Sequence, residues 1–221
     1  MNTIISLGWL LVLLLPGMVS AQEKVEAPVW NVGDKWVFTQ GIIEIIGADQ
    51  NSYTVKFPSD KTIAAWYLES GGFEKISFEK ASLNRIYALK ENKHEKYTGF
   101  RRTLLNFPLS PGKKWKDVFS ATPLVGLYYG VGVWEYTEAY AVLGWEEVEV
   151  RAGKFKAIKL ECEQVVTGLR PTRGQVVGSG GKAWYWYSPA GKYFVECQYD
   201  KTYFGAHGLK DWELASFQVK K

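Results

Sequence analysis

Residues Gly181 to Asp200 read GKAWYWYSPAGKYFVECQYD, with four rings in succession at Trp184-Tyr185-Trp186-Tyr187. Four adjacent aromatics form either a ligand platform or one strand buried on both sides, because successive strand residues point to opposite faces. The following Ser188-Pro189-Ala190-Gly191 has the composition of a turn, with proline fixing φ and glycine freeing it. A four-residue loop, or a two-residue loop at Ala190-Gly191, pairs residues whose numbers sum to an odd value. Trp184 and Trp186 then share a face with Tyr193, Val195 and Cys197, while Tyr185 and Tyr187 lie with Lys192, Phe194 and Glu196. The first set is apolar throughout and is expected to face inward, which leaves the tyrosines on the outer or rim side. A three-residue loop would exchange the two faces.

Outward from this hairpin, short apolar-aromatic runs alternate with turn signals. Strands are expected at Lys35–Thr39, Ile42–Ile46, Tyr53–Phe57, Ile63–Leu68, Phe73–Phe78, Asn84–Leu89 and Thr103–Phe107. Further strands are expected at Trp134–Leu143, Glu146–Val150, Phe155–Val166, Val176–Tyr187, Tyr193–Tyr199 and Trp212–Val219. Strands at this spacing predict an all-β fold, an antiparallel meander forming a twisted sheet, half-barrel or sandwich. Glu79–Glu95 is the one helix candidate, and it fits a strand equally well. Gly33-Asp34-Lys35-Trp36 recurs as Gly112-Lys113-Lys114-Trp115, and Ala152-Gly153-Lys154-Phe155 as Ala190-Gly191-Lys192-Tyr193. The first pair reads as a strand entry that drops a ring into the core, and the second as two hairpin turns of similar build.

The chain begins MNTIISLGWLLVLLLPGMVSAQEK. An apolar run from Ile4 to Leu15, a Pro16-Gly17 break and small residues at Val19-Ser20-Ala21 have the form of a cleaved signal peptide. The run is shorter than the roughly 20 residues that cross a bilayer. Residues 1–21 are therefore expected to be removed, leaving one β-rich domain over residues 22–221 and no stable transmembrane segment. Retention as an anchor is the alternative, since Met1-Asn2-Thr3 supplies no lysine or arginine. A periplasmic or secreted envelope protein follows. The net charge of +4 is spread by alternation, as in Phe73-Glu74-Lys75 and Phe78-Glu79-Lys80, which fits a solvated sheet and not a nucleic-acid footprint.

Cys162 and Cys197 form a disulfide candidate in an oxidising compartment. Both fall on inward alternations. In a simple meander the strand Val176–Tyr187 lies between theirs, putting them about 9–10 Å apart, beyond bridging distance. A bridge requires the sheet to fold over.

Enzymatic signatures are lacking. A zinc site needs three or four converging ligands, and His94 and His207 stand alone in loop-like sequence. Gly178-Ser179-Gly180-Gly181 lies inside a strand pattern without the helix that a nucleophile elbow or phosphate cradle requires, and reads as a bulge or bend. Glu146, Glu147, Asp117, Asp200 and Asp211 read as solvated acids near strand ends. No metal, cofactor or catalytic residue is expected. Lys113-Lys114-Trp115-Lys116, with Arg101-Arg102 upstream, is the strongest basic-aromatic surface candidate, against the plainer reading of solvated lysines around one anchored ring.

Several motifs resemble a family of exported bacterial proteins labelled TapB-like. Val32-Gly33-Asp34-Lys35-Trp36 is similar to its opening "V-G-D-x-W", and Pro108 to Trp115 to its "PL-x-x-G-K-x-W" element. Val148 to Ala157 resembles its "V-x-V-P-A-G-x-F-x-A" hairpin, with Arg151 in place of the proline. Trp186 to Gly191 resembles its "W-Y-S-P-x-x-G" turn. The resemblance implies an exported β-rich domain, akin in shape to lipoprotein-carrier half-barrels, and carries over no catalytic residues.

Ten tryptophans and thirteen tyrosines exceed what a compact sandwich core needs. The expected function is that of a non-enzymatic envelope protein holding an apolar or amphipathic ligand on a concave face lined by Trp184, Trp186, Tyr193 and Val195. The alternative is a carbohydrate-binding or surface-interaction module using exposed Tyr185, Tyr187 and Trp115. Lipid, lipoprotein or envelope polysaccharide are the corresponding partners. A structural protein whose rings merely fill the core is the plain competitor.

Overall fold

The structure is a computed structural model that describes residues 23–56, 73–80, 85–89, 100–121, 134–170, 175–201 and 211–220. The leader, the strand expected at Ile63–Leu68, and both histidines lie outside the described residues. Within them the fold is all-β and contains no helix.

Among the described residues, twelve strands form one antiparallel sheet. They are β1 (Lys35–Phe38), β2 (Gly41–Ala48), β3 (Ser52–Lys56), β4 (Phe73–Glu79), β5 (Arg85–Leu89) and β6 (Phe100–Arg102), then β7 (Lys114–Ala121), β8 (Trp134–Val150), β9 (Gly153–Arg170), β10 (Gln175–Ser188), β11 (Tyr193–Tyr199) and β12 (Trp212–Gln218). The spatial order β6-β5-β4-β3-β2-β1-β12-β11-β10-β9-β8-β7 describes two meanders joined where the first strand pairs with the last. The two edge strands, β6 and β7, are consecutive in the chain and lie side by side. The sheet thus rolls nearly into a barrel.

No backbone ladder joins these edges among the described residues; side chains close the seam. Thr103 donates its N–H to Asp117 Oδ2 at 2.6 Å, and the Trp115 indole donates to Thr103 O at 3.1 Å. At the far end the β8–β9 tip docks on β12, through Ala152 N–H to Leu214 O at 2.9 Å and Arg151 Nε to Glu213 Oε1 at 2.8 Å.

Several expectations are corrected. Residues 85–89 are strand, so the helix alternative at Glu79–Glu95 fails where it can be described; the segment pairs with β4 through Ile86–Ser77 and Tyr87–Ile76. Thr103–Phe107 is not a strand, and its place is taken by β6 just before it. Trp134–Leu143 and Glu146–Val150 are one strand of 17 residues, with a bulge that turns Leu143 outward at 50 % exposure. Lys114–Ala121 is a strand absent from the expected set, although Gly112–Trp115 reads as a strand entry. Gly178-Ser179-Gly180-Gly181 is no bulge, because β10 pairs with β9 through this stretch without a register shift. A Cβ on Gly180 would sit 3.0 Å from Gln164 O, so the neighbouring backbone favours glycine there.

The strand-entry device is present, with Gly33 at φ 93° ahead of the fully buried Trp36 and Gly112 at φ 84° ahead of the half-buried Trp115. The two hairpin turns differ: Gly153 takes positive φ in one, whereas Lys192, not Gly191, takes it in the other. Trp36 then meets the second turn, since its indole N–H donates to Gly191 O at 2.6 Å. Trp30 does the same to Lys192 O at 2.9 Å. Two motif elements far apart in sequence are therefore one structural joint.

Candidate functional site

The four rings of β10 belong to a strand buried on both faces over Tyr185–Ser188, with Trp184 half-buried. Pairing at the turn is as the loop length predicts, with Ser188 opposite Tyr193 and Tyr187 opposite Phe194. A bulge between Trp186 and Tyr187 then shifts the register, so that Tyr185 faces Cys197, Trp186 faces Glu196 and Trp184 faces Gln198. On the other side Ala183, Tyr185 and Tyr187 pair with Cys162, Leu160 and Ile158, whereas Trp184 and Trp186 pair with Glu161 and Lys159.

The expected faces are therefore inverted. Tyr185 and Tyr187 lie on the inner face at 5 % and 1 % exposure, beside Leu160, Cys162 and Cys197 at 1 % or less. They offer no exposed surface ring. Trp184 and Trp186 lie on the opposite face, among charges, Trp184 half-buried and Trp186 5 % exposed. The cause is the one-residue bulge, together with the covering of the turn end on both sides: Tyr193 packs on Trp30, Trp36, Phe38 and Phe78.

Tyr193 and Val195, at 2 % and 0 % exposure, are core residues. They do not join the tryptophans in an open concavity. Trp115, the third alternative surface ring, lies on the inner side of the edge strand, stacked on the buried Tyr140 at 4.9 Å and 10°. Lys113 beside it donates to Pro108 O at 2.8 Å and to Asn106 O, capping loop carbonyls. Its pKa is lowered by desolvation, against the opposing charge of Glu26.

Cys162 and Cys197 are both buried and not disulfide-bonded. β10 runs between them, with Ala183 opposite Cys162 and Tyr185 opposite Cys197. Burial raises the Cys197 thiol pKa strongly, which disfavours the reactive thiolate.

What the outer face brings together is a tryptophan pair in a charged frame. The Trp184 indole donates to Glu161 Oε2 at 3.0 Å, and Lys182 pairs with Glu161 Oε1 at 3.0 Å. The Lys182 hydrogen bond foremost, with help from Trp184, holds the Glu161 carboxyl below its ordinary range despite desolvation. The Trp186 indole donates to Glu146 Oε2 at 2.8 Å, and Lys159 Nζ lies 4.7 Å from its ring centroid. Glu146 is exposed, as its reading as a solvated acid expects, and it also orients an indole.

Sequence reading missed Glu138 and placed Arg102 on a basic surface, whereas Arg102 turns inward to pair with it. Glu138, fully buried on the inner face of β8, receives Arg102 Nε at 2.8 Å and Nη2 at 2.7 Å. Tyr140 Oη and Gln164 Nε2 also donate to it, at 2.5 and 2.6 Å. Burial alone would raise its pKa, but the Arg102 charge and these hydrogen bonds together lower it. A fixed, saturated carboxylate of this kind is a structural ion-pair centre. Only the alternation that places Glu138 in line with Tyr140 and Val142 hints at it in the sequence.

Among the described residues, no group of three or more histidine, cysteine or acidic side chains could hold a metal ion, and no helix is long and apolar enough to cross a membrane.

The class defined so far is an all-β fold of two joined meanders around a buried, aromatic-rich core among the described residues. No family model matches the chain, and no curated protein does. Solved structures of similar outline exist. A protein of Bacteroides fragilis, described as exported and of YmcC-like fold, matches at TM-score 0.39 and 12 % identity, covering 89 % of this chain and 99 % of that one. A protein of Parabacteroides distasonis described as a lipoprotein matches at TM-score 0.42 and 12 % identity, over 89 % of this chain and 100 % of that one. The hypothetical lipoprotein YmcC of Escherichia coli matches at 0.37 and 9 %, over 85 % and 83 %.

Proposed function

We propose that the protein is an exported, non-enzymatic module of the bacterial envelope that binds through the outer face of β9–β11, centred on the half-buried Trp184. The amino-terminal signal pattern and the TapB-like motifs support export. The observation that carries the binding surface is the Trp184 indole on the outward face, oriented by Glu161, with the buried Trp186 packed beside it as a support. Trp184 is half-buried, so part of its ring is open to solvent, and Glu161, Lys182 and Gln198 offer hydrogen-bonding groups around it. A flat ring beside fixed polar groups suits an envelope polysaccharide, whose sugars present C–H faces for stacking and hydroxyls for hydrogen bonds.

The carrier reading needs an accessible concave floor, and Tyr193, Val195 and Tyr187 are each 2 % exposed or less. An apolar cargo on that face would have to displace core side chains. The discriminating experiment purifies the mature protein from the periplasm, extracts it for lipid, and titrates it with envelope polysaccharide fragments. The expected result is a clean extract, saturable binding of fragments, and a loss of about tenfold in Trp184→Ala, the scale of one aromatic contact. A stoichiometric extracted lipid with no glycan binding would overturn this reading in favour of the carrier.

A further inference from the structure

The loop before β1 displays two exposed apolar side chains on a rigid mount. Val29 is 70 % exposed and Val32 is 48 % exposed, while Trp30 between them is 2 % exposed. Trp30 is pinned by its indole bond to Lys192 O and by its own N–H, which donates to Tyr53 Oη at 3.1 Å. The buried Asp34 carboxylate ties the loop further, accepting the N–H groups of Asn31 and Lys220, each at 2.8 Å. Gly33 N–H bonds to Ile45 O, beside the β2 bulge at which Ile46 turns outward at 49 % exposure. Slack chain does not explain why Val29 and Val32 face solvent.

Two ammonium groups border the same loop. Lys192 Nζ donates to Val29 O at 3.1 Å and Lys220 O at 2.7 Å, and Lys220 Nζ donates to Val32 O at 2.8 Å. Neither lysine is paired with a carboxylate in the ion pairs of the described residues. Lys35 contributes less free charge here, because Glu44 sits opposite it across the β1–β2 ladder.

We propose that this loop docks the protein on an anionic lipid surface, with Val29, Val32 and Ile46 entering at headgroup depth and Lys192 and Lys220 meeting lipid phosphates. Protruding apolar side chains beside lysines that have no carboxylate partner among the described residues gain both burial and charge attraction at such a surface. A folded protein partner fits less well. Stable protein interfaces bury roughly 800 Å² per side, more than two valines on this loop and Ile46 on β2 present. The loop is distinct from the Trp184 face, so this inference stands or falls independently of the glycan reading.

The test is vesicle flotation of the mature protein with phosphatidylglycerol-containing and pure phosphatidylcholine vesicles, at low and high salt. Binding is expected only to the anionic vesicles, weakened by salt. Val29→Ser with Val32→Ser should abolish flotation, and Lys220→Gln should weaken it about fivefold, the share of one lysine near a charged surface. The valine variant alters only exposed side chains, so it stays folded even where a lysine change disturbs the loop. Absence of flotation by the unmodified protein would overturn the proposal, as would flotation undiminished in the double valine variant. Glycan binding, measured on the same variant, should be unchanged.

Discussion

Arg102 on the edge strand β6 reaches past the opposite edge strand β7 to hold the buried Glu138 of β8 through two hydrogen bonds of 2.8 and 2.7 Å. This pair spans the one seam of the rolled sheet that no backbone ladder closes among the described residues. Removing one partner of a buried pair leaves an uncompensated charge and costs about 3–5 kcal/mol. Arg102→Ala should therefore destabilise the protein by that amount in urea unfolding followed by tryptophan fluorescence. A loss below about 1 kcal/mol, the scale of an exposed surface pair, would show that the seam does not depend on it.

The same carboxylate sets an acid limit. The folded-state pKa of Glu138 is lowered, so its contribution is fully present above the unfolded value of about 4.3. It is lost as pH falls from there through the folded value. Unfolding free energy measured between neutral and acid pH should fall across that window, and the fall should be smaller in Glu138→Gln.

An alkaline limit follows from Tyr187, whose hydroxyl pKa burial raises well above its ordinary value. A raised pKa favours the protonated native form. Stability from this group is complete below the unfolded tyrosine pKa of about 10 and is lost as pH climbs toward the folded value. Tyr187→Phe should flatten that alkaline decline in thermal melts, whereas an unchanged slope would mean Tyr187 ionises freely.

Ser188 is fully buried, and its Oγ has no hydrogen-bond partner. A buried hydroxyl without a partner costs about 1–3 kcal/mol. Ser188→Ala should raise the unfolding free energy by roughly 1 kcal/mol, a gain readable in urea melts. A destabilised variant would mean that the hydroxyl makes a bond in solution.

Thiol chemistry gives a direct check on β10 lying between the cysteines. Cys162 and Cys197 should both react with a thiol reagent in denaturant and neither in the native state, because both are buried. A mass lower by two hydrogens in the unreduced protein would reveal a bridge, and with it a different sheet order.

Strand existence was legible in the sequence because alternation and turn residues report local geometry. The β10–β11 loop was also legible, and it fixed the rungs at Ser188–Tyr193 and Tyr187–Phe194. What could not be read was the bulge one rung further on, since one extra residue leaves composition unchanged yet exchanges the faces of every residue beyond it. Glu138 escaped for a different reason. A buried carboxylate is defined by its partner, and Arg102 lies 36 residues away. The turn motifs were visible as hairpins, but nothing local shows that Trp36 caps Gly191 across 155 residues.

On the proposed function, the outward-facing Trp184, and not the inner rings, forms the binding surface. 5-Fluorotryptophan labelling with fluorine NMR during titration with envelope polysaccharide fragments tests it residue by residue. The Trp184 resonance, assigned by Trp184→Phe, should move saturably while that of the buried Trp36 stays fixed. Movement of Trp36 with Trp184 unmoved, or no movement at all, would contradict the account.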